Sequence, residues 1–458
     1  MQIEGRKALV LGAGKSGVES ARFLAERGAS VTLHDKKAIE EWSDAARELA
    51  NLSNVQSISG EIRLSVIDSI DLVVISPGVP VSTIPAELRD REIIGEVELA
   101  YRFLKGHIVG ITGSNGKTTT TALIGEMLKD AGYETRVGGN IGTPLLTLTE
   151  ASTDETWTVV ELSSFQLETI EDFRPDVGIC LNVTPNHLDR YDSFQDYAKA
   201  KRRLFMNQRS SDTAILNADD GVTASWPNDL RSRSVMFSVK NELNEGLFLR
   251  ERELVCRADG GQKILISRDD IFLQGLHNVE NILAAFGAGL ACGASVESMR
   301  ETVKEFKGVE HRIEFVAEIG GVEFYNDSKA TSVDATSKAL EALSGNEGKT
   351  VLILGGRGKN APYEPLVGLI ESSARALILI GEDADNIESQ LRGHAEIIRA
   401  DSLEEAVRKG FDAAVKGDAV LLAPACASFD MFRSFEERGE VFKAAVRRLG
   451  ETAAGTGI

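Results

Sequence analysis

The feature that most constrains this fold is a glycine-rich loop between a strand and a helix. Residues 110–119 read Gly-Ile-Thr-Gly-Ser-Asn-Gly-Lys-Thr-Thr; the strand-like run His107–Val109 precedes them and the helical pattern Thr120–Asp130 follows. The backbone N–H groups and the helix dipole of such a loop take up phosphate charge, Lys117 can reach the β- and γ-phosphates, and Thr118 can reach Mg²⁺. The sequence therefore predicts a nucleoside triphosphate site, in a shortened variant of the usual pattern.

Strand-like and helix-like stretches alternate along most of the chain, which is typical of α/β proteins. At roughly 150 residues per domain, the 458 residues correspond to about three domains. We expect a Rossmann-like N-terminal domain over 1–104, a central P-loop-type ATPase domain over 105–309 and a Rossmann-like C-terminal domain over 310–458. Short strands with turn signals between 214 and 274 predict an antiparallel elaboration of the central domain.

Composition excludes several classes of protein. The chain carries 51 Lys and Arg against 70 Asp and Glu, a net charge of −19, so nucleic acid is not expected as a partner. The longest apolar run, Ile282–Ala294, is too short to span a membrane, and the N-terminus shows no export signal. The four cysteines are far apart in sequence, which favours reduced thiols over a disulfide framework or a zinc site. We expect a soluble cytoplasmic protein without membrane partners.

A second glycine-rich loop lies near the N-terminus. Gly12-Ala13-Gly14-Lys15-Ser16-Gly17 follows an apolar run and opens a helix, and Asp35 ends the next strand. Glycines let the backbone approach a diphosphate at the helix N-terminus, and a carboxylate after the next strand can accept ribose hydroxyls. The pattern suits NAD, FAD or a nucleotide-sugar diphosphate equally, and a tight turn without a ligand is the remaining interpretation.

Two candidate metal ligands follow strands of the central domain. Glu161 ends the run Thr158–Val160, and His187 lies just beyond the strand Val177–Leu181. Because both follow the carboxyl ends of strands, we expect them in the same crevice as the phosphate loop, where they could complete a divalent cation shell. Taken singly, His187 could be a loop-packing histidine and Glu161 a helix-capping acid. By pattern alone, Lys201 is best interpreted as part of a solvated basic helix face.

Six separated segments resemble the Mur ligases, and within them the members that add D-glutamate. The segments occur in the family's order over nearly the whole chain: 112–118 (TGSNGKT), 161–168 (ELSSFQLE), 182–184 (NVT), 187–191 (HLDRY), 326–331 (NDSKAT) and 424–428 (PACAS). One departure is Asn186 before His187, where related enzymes often carry an acid.

The resemblance implies an ATP-dependent amide ligase of peptidoglycan precursor synthesis. ATP would phosphorylate the alanine carboxylate of UDP-N-acetylmuramoyl-L-alanine, and the amine of D-glutamate would attack the acyl phosphate. A related Mur-type or folylpolyglutamate-type ligase using another amino acid is the alternative. Outside this class, the N-terminal loop alone would suit an NAD-dependent oxidoreductase, and a nucleotide-gated binding protein without chemistry is a third possibility. We expect a monomer that takes only small-molecule substrates.

The resemblance also implies a set of site residues. For the UDP precursor they are Gly14, Lys15, Ser16, Asp35, Lys36, Ser76, Gly78 and Asn140. For ATP they are Gly113, Ser114, Asn115, Gly116, Lys117, Thr118, Thr119, Asn278, Arg312 and Asp327, with the last three expected at the junction of the second and third domains. For D-glutamate they are Lys329, Thr331, Lys359, Ser428, Phe429 and Phe435. The implied catalytic residues are Lys117, Glu161, His187 and Lys201, and the implied Mg²⁺ ligands are Thr118, Glu161, His187 and Lys201 as a carbamate.

The amino-acid site has independent support in the signs of its charges. Lys329 and Lys359 follow two different strands of the third domain. Cations supplied by separate strand ends favour an anionic substrate, as a dicarboxylic amino acid would be.

Overall fold

The computed structural model describes residues 1–62, 64–140, 143–184, 190–258, 260–273, 275–343, 348–358 and 362–456. Its described residues form three β-sheets within two compact units, Met1–Phe306 and Lys307–Ile458. The first unit holds two of the sheets. Across the described residues, none of the helices is both long enough and apolar enough to span a membrane.

The first sheet has five parallel strands in the order β3-β2-β1-β4-β5. Its strands are β1 Lys7–Leu11, β2 Ser30–Asp35, β3 Val55–Ser59, β4 Leu72–Ile75 and β5 Glu92–Gly95. Its α-helices are α1 Lys15–Glu26, α2 Asp44–Glu48, α3 Leu64–Ile67 and α4 Glu96–Tyr101. The strand order reverses direction at β1 and β4, where an open parallel sheet leaves a crevice at its carboxyl edge. The Rossmann-like prediction for this domain is confirmed.

The second sheet has the order β14-β13-β12-β11-β10-β9-β6-β8-β7. Its strands are β6 His107–Thr112, β7 Thr135–Gly139, β8 Trp157–Glu161, β9 Val177–Cys180, β10 Thr213–Asn217, β11 Arg233–Ser238, β12 Gly246–Arg250, β13 Glu253–Ala258 and β14 Gly261–Ser267. Its α-helices are α5 Lys117–Asp130, α6 Ser164–Leu167, α7 Phe194–Arg202, α8 Leu276–Ala291 and α9 Val296–Glu305.

The antiparallel elaboration predicted for 214–274 is only partly correct. Strands β10 and β11 pair in parallel with each other and extend the main sheet, and β11 also pairs in parallel with β12. Only β12, β13 and β14 pair antiparallel. The turn signal after β10 leads into the 3-10 helix Thr223–Asp229, which carries the chain back to start β11 in the same direction.

The third sheet has the order β15-β16-β20-β17-β18-β19 and lies in the second unit. Its strands are β15 Glu314–Ile319, β16 Val322–Asn326, β17 Thr350–Gly355, β18 Ala374–Ile380, β19 Glu396–Arg399 and β20 Ala419–Leu422. Its α-helices are α10 Val333–Leu343, α11 Val367–Ser373, α12 Ala384–Leu391, α13 Leu403–Ala413 and α14 Phe435–Thr456. Only β15 with β16 is antiparallel; the other pairs are parallel, as expected for a Rossmann-like domain.

Short 3-10 helices occupy several of the connections. They are Ile39–Glu41, Leu49–Asn51, Val81–Thr83, Ala86–Leu88, Leu145–Leu148, Arg203–Phe205, Thr223–Asp229, Arg268–Asp270 and Glu364–Leu366.

The helix α4 connects the first sheet to the second and carries two buried carboxyl groups. Glu96 accepts the N–H of Leu146 at 2.9 Å, and Glu98 accepts the N–H groups of Glu171 and Phe173 at 2.8 and 3.0 Å. Both carboxyl groups therefore accept hydrogen bonds from residues that follow strands of the second sheet, and the two sheets lie in one compact unit.

Candidate active site

The phosphate loop is held in shape by the residues that follow β9. Ser114 N–H donates to the carbonyl of Asn182 at 3.0 Å, and Asn115 N–H donates to the side-chain oxygen of Asn182 at 2.8 Å. Gly116 has φ +81° at the start of α5, and a Cβ there would lie 2.2 Å from Oδ1 of Asn281. Both the conformation and the close approach require glycine at this position.

Two lysines converge on one carbonyl of this loop. Lys117 Nζ donates to Gly113 O at 2.8 Å and to Ser114 O at 3.0 Å, and Lys201 Nζ donates to Gly113 O at 2.8 Å. Lys201 is 2% exposed, and its Nζ lies 4.7 Å from the centre of the Tyr197 ring.

The interpretation of Lys201 as part of a solvated helix face is therefore wrong. The solvated lysine of α7 is Lys199, whose side chain is 75% exposed and pairs with Asp196 at 3.0 Å. Two residues apart on a helix, the two lysines lie on different faces, and the packed face directs Lys201 to the phosphate loop.

Glu161 and Thr118 each have a buried side-chain oxygen that could ligate a cation. Glu161 Oε1 accepts the side-chain N–H of Asn140 at 2.9 Å. Its Oε2 and the hydroxyl of Thr118 are buried and have no hydrogen-bond partner among the described residues. A buried polar atom without a partner is costly, and each of these two atoms is a hard oxygen donor of the kind that Mg²⁺ takes, so each is a candidate ligand for a divalent cation. His187, the third predicted ligand, lies outside the described residues.

A cavity of about 1040 Å³ lies in the first unit at the carboxyl edge of the first sheet. Its walls come mainly from the segments after β1, β2, β3 and β4 and from the segment after β7. All eight residues predicted for the UDP precursor line it: Gly14, Lys15, Ser16, Asp35, Lys36, Ser76, Gly78 and Asn140.

Asp35 stabilises the N-terminal glycine loop, Gly12–Gly17, which lies on one side of this cavity. Its carboxylate accepts the N–H of Ala13 at 2.8 Å and the N–H of Lys37 at 3.0 Å. Burial would raise the pKa of Asp35, but these two backbone hydrogen bonds and the nearby charges of His34 and Lys37 together outweigh it, and the pKa is lowered. The carboxylate therefore stays ionised and holds the backbone of the loop.

Asn140 connects the cavity to the candidate metal ligands. It lines the cavity, its backbone N–H donates to Glu161 O at 2.8 Å, and its side chain donates to Glu161 Oε1. A substrate carboxyl group at this end of the cavity would thus lie beside Glu161, and Glu161 belongs to a strand that pairs with the strand of the phosphate loop. The arrangement suits phosphoryl transfer to a carboxylate.

In the second unit, most of the described residues predicted for ATP and the amino acid lie on the loops after β16 and β20. Asp327 is buried, and its pKa is raised to about 7 by burial, against the opposing charge of Arg312. Ser428 is buried, whereas Phe429 is 64% exposed. Lys329 and Thr331 lie on the same loop as Asp327, with the Thr331 N–H donating to Lys329 O at 2.8 Å.

The remaining predicted residues lie outside these two loops, and Arg312 comes two residues before β15. Phe435 begins α14, and its ring centroid lies 6.2 Å from that of His311. Asn278 lies in the first turn of α8, in the first unit. Lys359 lies outside the described residues.

Two buried polar residues, one in each unit, are absent from the sequence predictions. Arg438 is 1% exposed and donates to Ser328 O at 2.8 Å and to Cys426 O at 3.1 Å, so it joins the two loops. Asn281, also buried, faces Gly116 and donates to Asn278 Oδ1 at 3.2 Å. An arginine inside a long charged helix gives no sequence signal for burial, whereas Asn281 could have been found from its spacing, three residues after Asn278 on the same helix face.

Three family models match the chain. A Mur ligase MurD-like N-terminal domain matches residues 6–94, a Mur ligase middle domain matches 111–289, and a Mur ligase glutamate ligase domain matches 311–426.

The chain is similar along nearly its full length to proteins named UDP-N-acetylmuramoylalanine–D-glutamate ligase. The protein of that name from Koribacter versatilis is 46% identical over 98% of this chain and 99% of its own. The one from Acidobacterium capsulatum is 47% identical over 97% of this chain and 96% of its own.

Solved structures share the fold at low identity. A pseudomurein peptide ligase type C from Methanothermus fervidus has a TM-score of 0.55 at 19% identity, covering 97% of this chain and all of its own. The UDP-N-acetylmuramate-alanine ligase MurC from Thermotoga maritima has a TM-score of 0.53 at 19% identity, covering 97% of this chain and 99% of its own.

Proposed function

The chain belongs to the Mur ligase family, and from this premise we propose that it is the ATP-dependent ligase that adds D-glutamate to UDP-N-acetylmuramoyl-L-alanine in peptidoglycan precursor synthesis. The names of relatives at 46 and 47% identity support this substrate pair. The structural observation that carries the proposal is that Asn140, which lines the cavity, donates a hydrogen bond to Glu161. This contact connects the pocket proposed for the nucleotide diphosphate with the strand next to the phosphate loop.

In the proposed reaction, the precursor occupies the cavity with its diphosphate at the N-terminus of α1 and its alanine carboxylate toward Asn140. The triphosphate of ATP lies on the loop Gly113–Thr119, where Lys117 and the backbone N–H groups stabilise its charge. A carboxylate oxygen attacks the γ-phosphorus, the bond to the β–γ bridging oxygen breaks, and ADP leaves. The amine of D-glutamate then attacks the acyl carbon, inorganic phosphate leaves, and the nitrogen loses a proton.

The donor set fits Mg²⁺, which we propose is held by Thr118, Glu161, His187 and Lys201. Bound there, the cation would neutralise the charge that accumulates on the transferring phosphoryl group. For this role Lys201 would be carbamylated: its neutral amine adds to the carbon of CO₂, a proton is released, and a carboxylate replaces the ammonium. The burial of Lys201 beside Gly113 supports this proposal, because it places the Lys201 side chain at the loop that would hold the triphosphate.

In the second unit, we assign Lys329, Thr331, Lys359, Ser428, Phe429 and Phe435 to D-glutamate. The cations would pair with its two carboxylates. Asn278, Arg312 and Asp327 would contact the adenosine of ATP.

We propose domain limits at 104/105 and 309/310, a monomeric state and a cytoplasmic location.

The experiment that tests this function is phosphate release from ATP with UDP-N-acetylmuramoyl-L-alanine and a panel of amino acids. D-Glutamate should release phosphate, whereas L-alanine, L-lysine and meso-diaminopimelate should not. Turnover with another member of the panel would make the protein a different amide ligase. If no amino acid in the panel leads to ATP hydrolysis, the protein would be a binding protein without chemistry. Binding of a nicotinamide cofactor, measured by fluorescence, would favour an oxidoreductase.

A further inference from the structure

Arg190 of the central domain reaches the turn that follows β4 in the first domain. Its Nη1 donates to Pro77 O at 2.7 Å, and its Nη2 lies 3.4 Å from Val79 O. These are charge-assisted hydrogen bonds to two carbonyls of the same turn, a geometry that the fork of a guanidinium matches and a single ammonium does not.

The guanidinium is itself held from the central domain. Its central carbon lies 3.8 Å from the centre of the Phe165 ring, and Nη2 lies 3.6 Å from Glu168 Oε2. The side chain of Arg190 is 14% exposed. An arginine stacked on a ring and paired with a carboxylate has few rotamers left, so its donors occupy a fixed position.

The turn that Arg190 holds is a wall of the cavity. Residues 76–80 all line it, and the turn closes with a hydrogen bond from Val79 N–H to Ser76 O at 2.9 Å. On its other side, Ser76 Oγ donates to Gly12 O at 3.2 Å. The turn is therefore fixed to the glycine loop by Ser76 and to the central domain by Arg190.

We infer that Arg190 is a positioning residue for the UDP precursor: it sets the distance between the Ser76–Val79 turn and the central-domain wall of the cavity. The inference rests on the proposed function, because it takes this cavity as the precursor site. Arg190 touches the wall rather than the phosphate loop, which has its own anchor in Asn182. Loss of the Arg190 side chain should therefore weaken binding of the precursor and leave binding of ATP unchanged.

The test compares Arg190→Met and Arg190→Lys with the wild-type enzyme. Methionine keeps an unbranched apolar stem over Phe165 and removes both donors. We expect its Kd and KM for UDP-N-acetylmuramoyl-L-alanine to rise roughly 10- to 100-fold, the loss of one or two part-exposed charge-assisted hydrogen bonds. Its KM for ATP should stay within about twofold, with kcat at saturating precursor largely retained. Lysine can reach one carbonyl and should recover part of the affinity.

A matched control is Arg202→Met, which removes an exposed guanidinium of α7 that pairs with Asp229 at 2.9 Å. It should leave both KM values unchanged. Unchanged precursor affinity in Arg190→Met, or equal losses of precursor and ATP affinity in both Arg190 variants, would overturn the inference alone. A wild-type enzyme that binds no precursor would overturn the proposed function, and this inference with it.

Discussion

Replacing Glu96 by glutamine should stabilise the unit Met1–Phe306 at alkaline pH. Glu96 lies in α4, is buried, and accepts the N–H of Leu146 at 2.9 Å. Burial raises its pKa from 4.5 to about 7; the hydrogen bonds from Leu146 and Leu145 oppose this shift, and the charge of Glu19 adds to it. At about 1.4 kcal/mol per pKa unit, keeping this group ionised costs the folded state on the order of 3 kcal/mol.

The sign follows from proton binding. Because the folded pKa lies above the unfolded one, the folded state binds more protons between them. The contribution of Glu96 to stability is therefore complete below about pH 4.5 and is lost as the pH rises through about 7. Glutamine keeps a carbonyl acceptor for Leu146 and cannot ionise, so the stability of the variant lacks this decline.

The assay is thermal unfolding of both proteins from about pH 5 to about pH 8.5, followed by circular dichroism. A difference of a few kcal/mol in a unit of this size corresponds to roughly 5–10 °C in Tm, in favour of the variant at the alkaline end. The matched control is Glu98→Gln, two residues along the same helix. Glu98 is equally buried but accepts backbone N–H groups and the Nε–H of Arg102 at 3.0 Å, so its replacement should lower Tm at the same alkaline pH. Parallel Tm curves for wild type and Glu96→Gln would refute the reasoning.

Three further variants test the candidate site. Lys117→Ala should abolish ATP turnover and leave the affinity for the UDP precursor nearly intact, because the phosphate loop and the cavity are separate; equal loss of both would contradict this. Asp35→Ala should weaken binding of the precursor by about 1–3 kcal/mol, because the N–H groups of Ala13 and Lys37 lose a charged acceptor. Competition with free UDP measures this loss, and unchanged competition would remove Asp35 from the site. Lys201→Ala should lose nearly all ligase activity and regain part with acetate or formate, whereas Lys199→Ala should be mild; wild-type turnover of Lys201→Ala at limiting Mg²⁺ would exclude the carbamate.

The sequence predicts the strands well because most are short, continuous apolar runs. The strand-like runs His107–Val109, Thr158–Val160 and Val177–Leu181 coincide with or overlap β6, β8 and β9, and both glycine loops lie at strand-to-helix junctions as expected. The edge strands β3 and β7 contain no apolar run of four residues, and most of their residues are partly buried or exposed, so the sequence does not predict them. The parallel pairing of β10 with β11 depends on the direction in which the chain returns between them, and the amino-acid composition of the connection does not reveal that direction.

The site residues divide in the same way. Residues on the glycine loops could be named from the sequence because the loop conformation itself requires those residue types. The burial of Lys201 could not, because a basic stretch on a short helix is usually solvated and only the packing of α7 beneath the phosphate loop reverses this. Arg190 and Arg438 act through carbonyl groups of distant loops, and backbone carbonyls have no sequence signature.

The glycines of the N-terminal loop differ in what makes them necessary. A Cβ on Gly17 would lie 1.8 Å from Gly12 O, and one on Gly12, which has φ +97°, would lie 2.9 Å from the Cβ of Ser76. The fold alone requires these two glycines. Gly14 has φ −76°, a value open to any residue, and a Cβ there would meet no described atom within 4 Å. Gly14 lines the cavity at the start of α1, where a helix N-terminus can bind a diphosphate, so we expect that a larger side chain at this position would weaken binding of the proposed precursor without straining the fold.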